Sequence, residues 1–173
     1  MPAVLSSLWL ATLTSVVLLV ALPSASSAEE DVTRIEEVAY QSILLWTSGS
    51  TLTPEEIFAP DYVNHVDSPI SDELPSDRDI GELTSELARF HAAFSDVHVT
   101  SVEQVAQDNL VATRVVLSAR HTGSFVGEEP TGNTVTYDSV EFTRVEDDRI
   151  VETWVTWDKY GLYRQIGAIP QGN

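Results

Sequence analysis

The chain has 173 residues, no cysteine, and 27 Asp and Glu against nine Lys and Arg, which gives a formal net charge of −18 at pH 7. A surface this acidic repels nucleic acid and anionic membranes, so neither is predicted as a partner. The absence of cysteine also excludes disulfides and thiol nucleophiles. Salt adaptation would produce such a composition, and so would selection for solubility alone.

The first 28 residues predict a secretory signal peptide. Residues 5–22 are nearly all apolar or small and carry no charge, Pro23 interrupts them, and small residues precede a cleavage point near Ala28/Glu29. We therefore expect one domain over residues 29–173 of a secreted, periplasmic or cell-surface protein. The alternative is an uncleaved N-terminal anchor, because about 18 apolar residues can just span a bilayer. No other membrane contact is predicted.

Three helices are predicted in the first half of the domain. The first covers about Asp31 to Thr47, where apolar residues recur at helical spacing. The second is short, with Thr53 at the N-cap, Pro54 at the first helical position and Glu56 as the reciprocal capping-box carboxylate. The third covers about Ile80 to Phe94 and carries a core-facing apolar stripe.

Between the second and third helices, Asp61 to His65 is predicted as a brief extended segment, and Asp67 to Asp79 as a polar loop beside a pocket. From residue 97 the apolar period changes to two, which predicts strands. Four long strands are expected, at about Val97–Gln107, Leu110–Ser124, Thr134–Val145 and Arg149–Trp157. Helices followed by an antiparallel meander predict an α+β domain whose curved sheet wraps around the helices and leaves a cavity.

Seven short segments match a known family in order: Asp61–His65, Ala92–Asp96, Val111–Arg114, His121–Gly127, Pro130–Gly132, Glu152–Trp154 with Asp158, and Gln165–Pro170. On these segments the chain resembles the SnoaL-like polyketide cyclase, or ester cyclase, family within the nuclear-transport-factor-2-like fold. The resemblance implies a cone in which three N-terminal helices pack on a curved antiparallel sheet of four to five strands around a ligand cavity. It also implies an aspartate that acts as general acid and base in an aldol-type ring closure, with no metal and no organic cofactor.

Asp158 fits the position of that catalytic aspartate best. Strand alternation puts Glu152, Trp154, Thr156 and Asp158 on one face, and Val151, Val155 and Trp157 on the other. In a dry pocket beside Trp154, desolvation would raise the pKa of Asp158 and make it a usable proton shuttle. The alternative is that Asp158 caps a turn that begins at Lys159, because strand-to-helix junctions commonly use Asp in this way.

The remaining candidates divide into catalytic partners and binding residues. His65 and His121 are predicted to donate to a substrate carbonyl or to hold the aspartate's proton, with structural histidines as the alternative. The predicted substrate-binding residues are Trp46, Phe90, Phe94, Arg114, Tyr137, Glu152 and Trp154. The four histidines lack the close spacing of metal ligands, so no metal site is predicted. The resemblance also implies a histidine on the strand before the last, and residues 137–144 contain none.

The first functional hypothesis is an exported lyase or isomerase that binds a small apolar carbonyl compound and transfers a proton during aldol-type cyclisation or isomerisation. One alternative is a noncatalytic ligand-binding or dimerisation module, whose homodimer surface would be formed by Val151, Val155 and Trp157. The other is an epoxide hydrolase-like enzyme. That site would require one pocket to contain Asp158, Arg114 and either Asp138 or Glu141.

Overall fold

The computed structural model of this chain describes residues 25–66 and 77–170. Those residues form α1 (Ala25–Leu44), α2 (Pro54–Ile57), β1 (Phe58–Val66), β2 (Asp77–Arg78), α3 (Ile80–Ala93), β3 (Phe94–Gln107), β4 (Leu110–His121), β5 (Thr134–Glu146), β6 (Arg149–Trp157) and α4 (Lys159–Ile166). Most of the predicted signal peptide and most of the predicted polar loop lie outside the described residues. Within the described part of the chain, no helix has the length and apolar character to cross a bilayer.

The six strands form one curved sheet in the order β2-β1-β6-β5-β4-β3. Strands β3 to β6 make the predicted antiparallel meander. Strand β1 runs parallel to β6, with His65 opposite Trp154, so the expected antiparallel sheet of four to five strands is a mixed sheet of six. Without β1, the last strand of the meander would present an unpaired edge of N–H and C=O groups, and β1 covers that edge.

Local signals account for most helix boundaries. In α2, the Thr53 N–H donates to Glu56 Oε2 at 2.8 Å, as the predicted capping box requires. In α3, Asp79 accepts from the Glu82 N–H at 3.0 Å. Helix α1 begins at Ala25 rather than near Asp31, and it ends at Leu44 because tighter i→i+3 bonds take over beyond that residue.

An extra residue in β6 determines which side chains face the helices. The β5–β6 ladder pairs Val145 with Ile150 and Arg144 with Glu152, which leaves Val151 without an opposite residue. This β-bulge shifts the alternation by one position. Buried Ile150 is therefore followed on the helix-facing side by Thr153, then by residues 155 and 157.

The helices cover one face of the sheet, here called the inner face. Two clusters of buried side chains fill the space between them, one around Phe90, Phe94 and Val115, the other around Ile57, Phe58 and Leu83. The two clusters meet beside the inner face of β5, near the middle of that strand, and a cavity lies between them.

Candidate functional site

The cavity is partly enclosed and its wall is mainly apolar. The volume open to the centres of water molecules is about 90 Å³. Adding a layer one water radius thick around a compact space of that size gives a total cavity volume of roughly 300 Å³. This is the lower end of the range for ligand pockets. Aromatic side chains from helices, strands and connecting segments line it: Trp46, Phe58, Tyr62, Phe90, Phe125, Tyr137 and Trp157. A site of this size and composition suits a small, largely apolar molecule.

Strand β5 supplies the polar groups at the centre of the cavity wall. Because side chains alternate along a strand, Tyr137, Ser139, Glu141 and Thr143 all point to the inner face. Glu141 is 7% exposed. Its Oε1 lies 2.8 Å from Ser42 Oγ on α1 and 2.7 Å from Thr143 Oγ1. Among the described residues, no hydrogen bond reaches Oε2.

The environment of Glu141 favours a proton. Burial raises the pKa of the Glu141 carboxyl, and the hydrogen bond that Thr143 donates opposes that rise without outweighing it. A raised pKa makes the neutral form of a carboxyl available for proton donation over a wider range of pH. Glu141 therefore has the properties that the sequence had assigned to Asp158.

Tyr137 offers a hydrogen-bond donor on the same strand face. It is buried, and burial raises the pKa of its phenol, so the group stays protonated. Its hydroxyl bonds to none of the described residues, and the side chain lines the cavity. A ligand oxygen can therefore take this bond.

A second tyrosine in the wall is already engaged. Tyr62 Oη lies 2.6 Å from Thr153 Oγ1, and Thr153 donates to Asn64 Oδ1 at 3.0 Å. Since the single hydroxyl hydrogen of Thr153 goes to Asn64, Tyr62 is the donor in the first bond. Burial is the main cause that raises the pKa of Tyr62, so this side chain also stays protonated.

The other carboxylate in the wall is neutralised. Glu86 on α3 forms a buried ion pair with Arg78 on β2, with side-chain exposures of 8% and 2%. Glu86 reaches the cavity, whereas Arg78 does not line it. The cavity wall therefore carries one paired carboxylate and one carboxyl, Glu141, that no cation of the described residues contacts.

The predicted position of Asp158 in a dry pocket is wrong. Asp158 is exposed and is the N-cap of α4, where its Oδ1 accepts from the Gly161 N–H at 2.7 Å. Its main-chain N–H also donates to Asp138 O at 2.9 Å. These two bonds hold the residue at the strand-to-helix junction, so the capping alternative is the correct one. A Cβ at Gly161 would lie 1.9 Å from Asp158 Oδ2, which explains the glycine.

Four further predicted site residues lie on the outer face of the sheet, outside the cavity. His65 Nε2 lies 3.0 Å from Glu152 Oε1, and the His65 ring stacks on Trp154 with centroids 5.3 Å apart. The bond from His65 is the main cause of a lowered pKa at Glu152. Arg114 pairs with Asp138 and Glu103 near the solvent. The bulge in β6 turns residues 152 and 154 outward and so places them beside His65.

The same geometry corrects the residue assignments made for the dimer surface and for the epoxide hydrolase-like site. Val155 and Trp157, predicted for a dimer surface, line the cavity instead. The epoxide hydrolase-like constellation does not form, because Asp158, Arg114 and Asp138 lie outside the cavity and only Glu141 lies within it.

His121 is completely buried at the end of β4 but does not line the cavity. Its Nδ1 accepts from the Thr131 N–H at 3.3 Å, and its ring packs beside Phe94. Phe94 lies one layer behind the wall, next to Phe90. Of the predicted binding residues, the structure brings together in the cavity only Trp46, Phe90 and Tyr137.

The sequence did contain a signal for Glu141. From Val135 to Val145, every second residue of β5 faces the core, and Glu141 is the one acidic side chain in that series. It stands on the strand where the family resemblance implies a histidine. In the described ranges, no group of three or more potential metal ligands comes together.

Comparison with known proteins gives a consistent result. A family model described as SnoaL-like polyketide cyclase matches residues 37–166. No curated protein matches the chain. Among solved structures, IdmH from Streptomyces antibioticus, a candidate polyketide cyclase, is 30% identical, with a TM-score of 0.68 over 77% of this chain and 98% of IdmH.

More distant structures are similar in fold alone. AclR from Streptomyces galilaeus, a candidate hydroxylase, is 22% identical, with a TM-score of 0.68 over 82% of this chain and 86% of AclR. A candidate polyketide cyclase from Acidithiobacillus ferrooxidans is 18% identical, with a TM-score of 0.66 over 79% and 96% of the two chains. The expected α+β, nuclear-transport-factor-2-like fold is thereby confirmed.

Proposed function

Because this chain belongs to the SnoaL-like polyketide cyclase family, we propose that it binds a small, mainly apolar carbonyl compound in the cavity and catalyses a proton transfer there, as a cyclisation or isomerisation. The observation that carries the proposal is Glu141, a buried carboxyl on the cavity wall with a raised pKa. Glu141 takes the role that the family resemblance had given to Asp158.

The chemistry follows from the two open groups of β5. Glu141 exchanges protons with the substrate, both at a carbonyl oxygen and at the carbon next to the carbonyl, and the Tyr137 hydroxyl donates to an oxygen on which negative charge develops. Their Cα atoms lie about 13 Å apart, since four residues of strand separate them. With two long side chains reaching into that interval, a compact substrate between them can contact both groups.

The apolar wall supports the same function. A dry environment strengthens the hydrogen bond from Tyr137 to a charged oxygen, because little water competes for it. Aromatic rings such as Trp46, Phe90 and Trp157 offer flat surfaces for an unsaturated or ring-containing molecule. The wall has no unpaired cation among the described residues, which favours a ketone, aldehyde or ester over a free acid.

A proton-exchange assay with a model ketone tests this function while the natural substrate is still unidentified. In D2O, we expect the protein to catalyse exchange of the hydrogens next to the carbonyl of a small bicyclic ketone such as 2-tetralone, followed by proton NMR. Glu141→Gln should slow the catalysed exchange by about 100-fold or more, in the range of general acid–base catalysis. Asp158→Asn is the comparison variant, and we expect it to exchange as fast as the parent. Equal rates in the parent and Glu141→Gln would remove Glu141 from the mechanism.

We also propose that the protein is exported, on the residue pattern of positions 1–28. N-terminal sequencing of protein expressed in its own host would test this. A start at or near Glu29 is expected, and an intact N-terminus on a membrane-bound protein would favour the anchor instead.

A further inference from the structure

The hydrogen-bond geometry around Ser42 restricts the protonation state of Glu141. Ser42 Oγ lies 2.7 Å from the Ala39 carbonyl oxygen and 2.8 Å from Glu141 Oε1. A hydroxyl carries one hydrogen, and a backbone carbonyl can only accept. The Ser42 hydrogen therefore serves one of these two contacts, and the other contact needs a hydrogen from elsewhere.

A count over the whole cluster identifies the missing hydrogen. Three close contacts link Ala39, Ser42, Glu141 and Thr143. With an ionised Glu141, the two hydroxyls provide two hydrogens for three contacts. With a neutral Glu141, the carboxyl provides the third: Thr143 donates to Oε1, the carboxyl donates to Ser42, and Ser42 donates to Ala39. The neutral acid satisfies every contact, and a serine that bonds back to its own helix is a common local arrangement.

The charges near Glu141 agree with this count. On the inner face of β1 the titratable group is Tyr62, which burial keeps protonated, whereas Asp61 is exposed and His65 lies on the outer face. On β2 and α3 the groups are Arg78 and Glu86, which neutralise each other in their ion pair. Along β5 the neighbour is Tyr137, also protonated, and the inner faces of β4 and β6 present uncharged side chains at Val115, Thr153 and Val155. No cation among the described residues contacts Glu141 to stabilise its ionised form.

We propose that Glu141 rests as a neutral carboxylic acid at pH 7, with Ser42 as the positioning residue that holds its proton, so that the reaction begins with proton donation to an oxygen of an uncharged carbonyl substrate. This inference rests on the proposed function for its chemical use, and the resting proton itself can be measured without any substrate.

The step balances within one substrate molecule. Glu141 transfers its proton to the accepting carbonyl oxygen while an enol carbon of the same molecule forms the new C–C bond to that carbonyl carbon. The enol O–H then loses its proton to the Glu141 carboxylate as its oxygen becomes a carbonyl. Glu141 returns to its neutral form, the product is an isomer of the substrate, and no oxidant or reductant is consumed.

This order of steps also defines the substrate class. A substrate carboxylate would bring a negative charge into a mainly apolar wall in which Glu86 is already paired with Arg78 and no cation of the described residues is left to compensate for it. A ketone, aldehyde or ester adds no charge and presents the basic oxygen that a neutral acid can protonate. An ester should therefore be accepted where the corresponding free acid is rejected.

Infrared spectroscopy of the full protein in D2O tests the resting proton directly. At pH 7 we expect a C=O stretching band of a protonated carboxyl that Glu141→Gln lacks and that Glu152→Gln, a matched change on the outer face, retains. A parent spectrum with no band lost in Glu141→Gln would overturn the proposal. Because Glu141→Gln could fold poorly, carboxyl ¹³C NMR of glutamate-labelled parent protein gives a second measurement. A buried carboxyl that titrates at the ordinary glutamate pKa of about 4.3 would overturn the proposal equally.

The variant Ser42→Ala separates the positioning role from mere packing. If Ser42 accepts the carboxyl hydrogen, its removal destabilises the neutral acid, and the titration midpoint of Glu141 moves to lower pH. If Ser42 instead donates to a carboxylate, the midpoint moves to higher pH, which contradicts the proposal. Ser139→Ala, a change of the same size in the same wall, should leave the midpoint unchanged. A neutral Glu141 in a protein that exchanges no substrate protons would refute the proposed function alone, whereas rapid exchange by an ionised resting Glu141 would refute the inference alone.

Discussion

Replacing Tyr137 by phenylalanine should separate function from stability. The Tyr137 side chain is buried, and its hydroxyl bonds to none of the described residues, so the folded protein gains little from that hydroxyl. The same hydroxyl is the proposed donor to the substrate oxygen. We therefore expect Tyr137→Phe to slow catalysed proton exchange while the fold is retained.

The expected changes in stability and in rate follow from the hydrogen bonds that the Tyr137 hydroxyl lacks in the folded protein and would donate to a substrate. An unsatisfied buried polar group costs about 1–3 kcal/mol, and cavity water reduces that cost, so Tyr137→Phe should leave the free energy of unfolding unchanged or raise it by up to about 2 kcal/mol. For a chain of this size, each kcal/mol corresponds to a shift in Tm of roughly 2–4 °C. Loss of a donor to a developing oxyanion costs about 100- to 1000-fold in rate.

Tyr62→Phe provides the matched control, because Tyr62 lies in the same wall but its hydroxyl bonds to Thr153 at 2.6 Å. This variant should lose about 1 kcal/mol of stability and keep most of its exchange activity. Thermal unfolding and the 2-tetralone exchange assay measure both effects on both variants. If Tyr137→Phe unfolds at a clearly lower temperature than Tyr62→Phe, the Tyr137 hydroxyl has an internal partner and its proposed role in binding is refuted.

Four further changes test other parts of the structure. Asp158→Ala should lower the free energy of unfolding by about 1 kcal/mol through loss of the α4 cap, with exchange activity retained, and Gly161→Ala should have a similar effect on urea unfolding since its Cβ displaces that cap. Burial raises the folded-state pKa of Glu141, so the contribution of this residue to the free energy of unfolding is present at acidic pH and is lost as pH rises through the raised pKa. In urea titrations at a series of pH values, Glu141→Gln should abolish this decrease in the free energy of unfolding. The pKa of Glu152 is lowered chiefly by His65, so the contribution of that pair is present above the ordinary glutamate pKa and is lost as pH falls through the lowered value; an NMR titration should find the Glu152 pKa raised in His65→Phe.

Local sequence signals predicted much of the fold. The capping box at Thr53 and the change to a period of two after residue 97 act over a few residues, and both correspond to real elements. The parallel pairing of β1 with β6 brings together residues such as His65 and Trp154, 89 positions apart, and no local pattern specifies such a contact. The family resemblance supplied the cone and its cavity but not the added strands.

The candidate site was harder to predict than the fold. Simple alternation placed Trp154 and Asp158 in the pocket, and alternation fails wherever an extra residue enters a strand. The bulge at Val151 has no strong sequence signature, since a valine suits regular strand equally well. Glu141 was assigned a role only in the epoxide hydrolase alternative, because an acidic residue in an alternating strand is usually solvent-exposed.

The bulge at Val151 affects how site residues can be transferred between relatives of this protein. In a homologue that lacks this one residue, the fourth and sixth residues after the counterpart of Ile150 would face the cavity. An alignment without a gap at the bulge would pair those two residues with Trp154 and Thr156, which face outward in this chain. Active-site residues assigned from such an alignment would be wrong along half of β6, because cavity-facing residues would be matched with outward-facing ones. Within this fold, counting residues from the bulge is a safer guide to a cavity position than matching residue types.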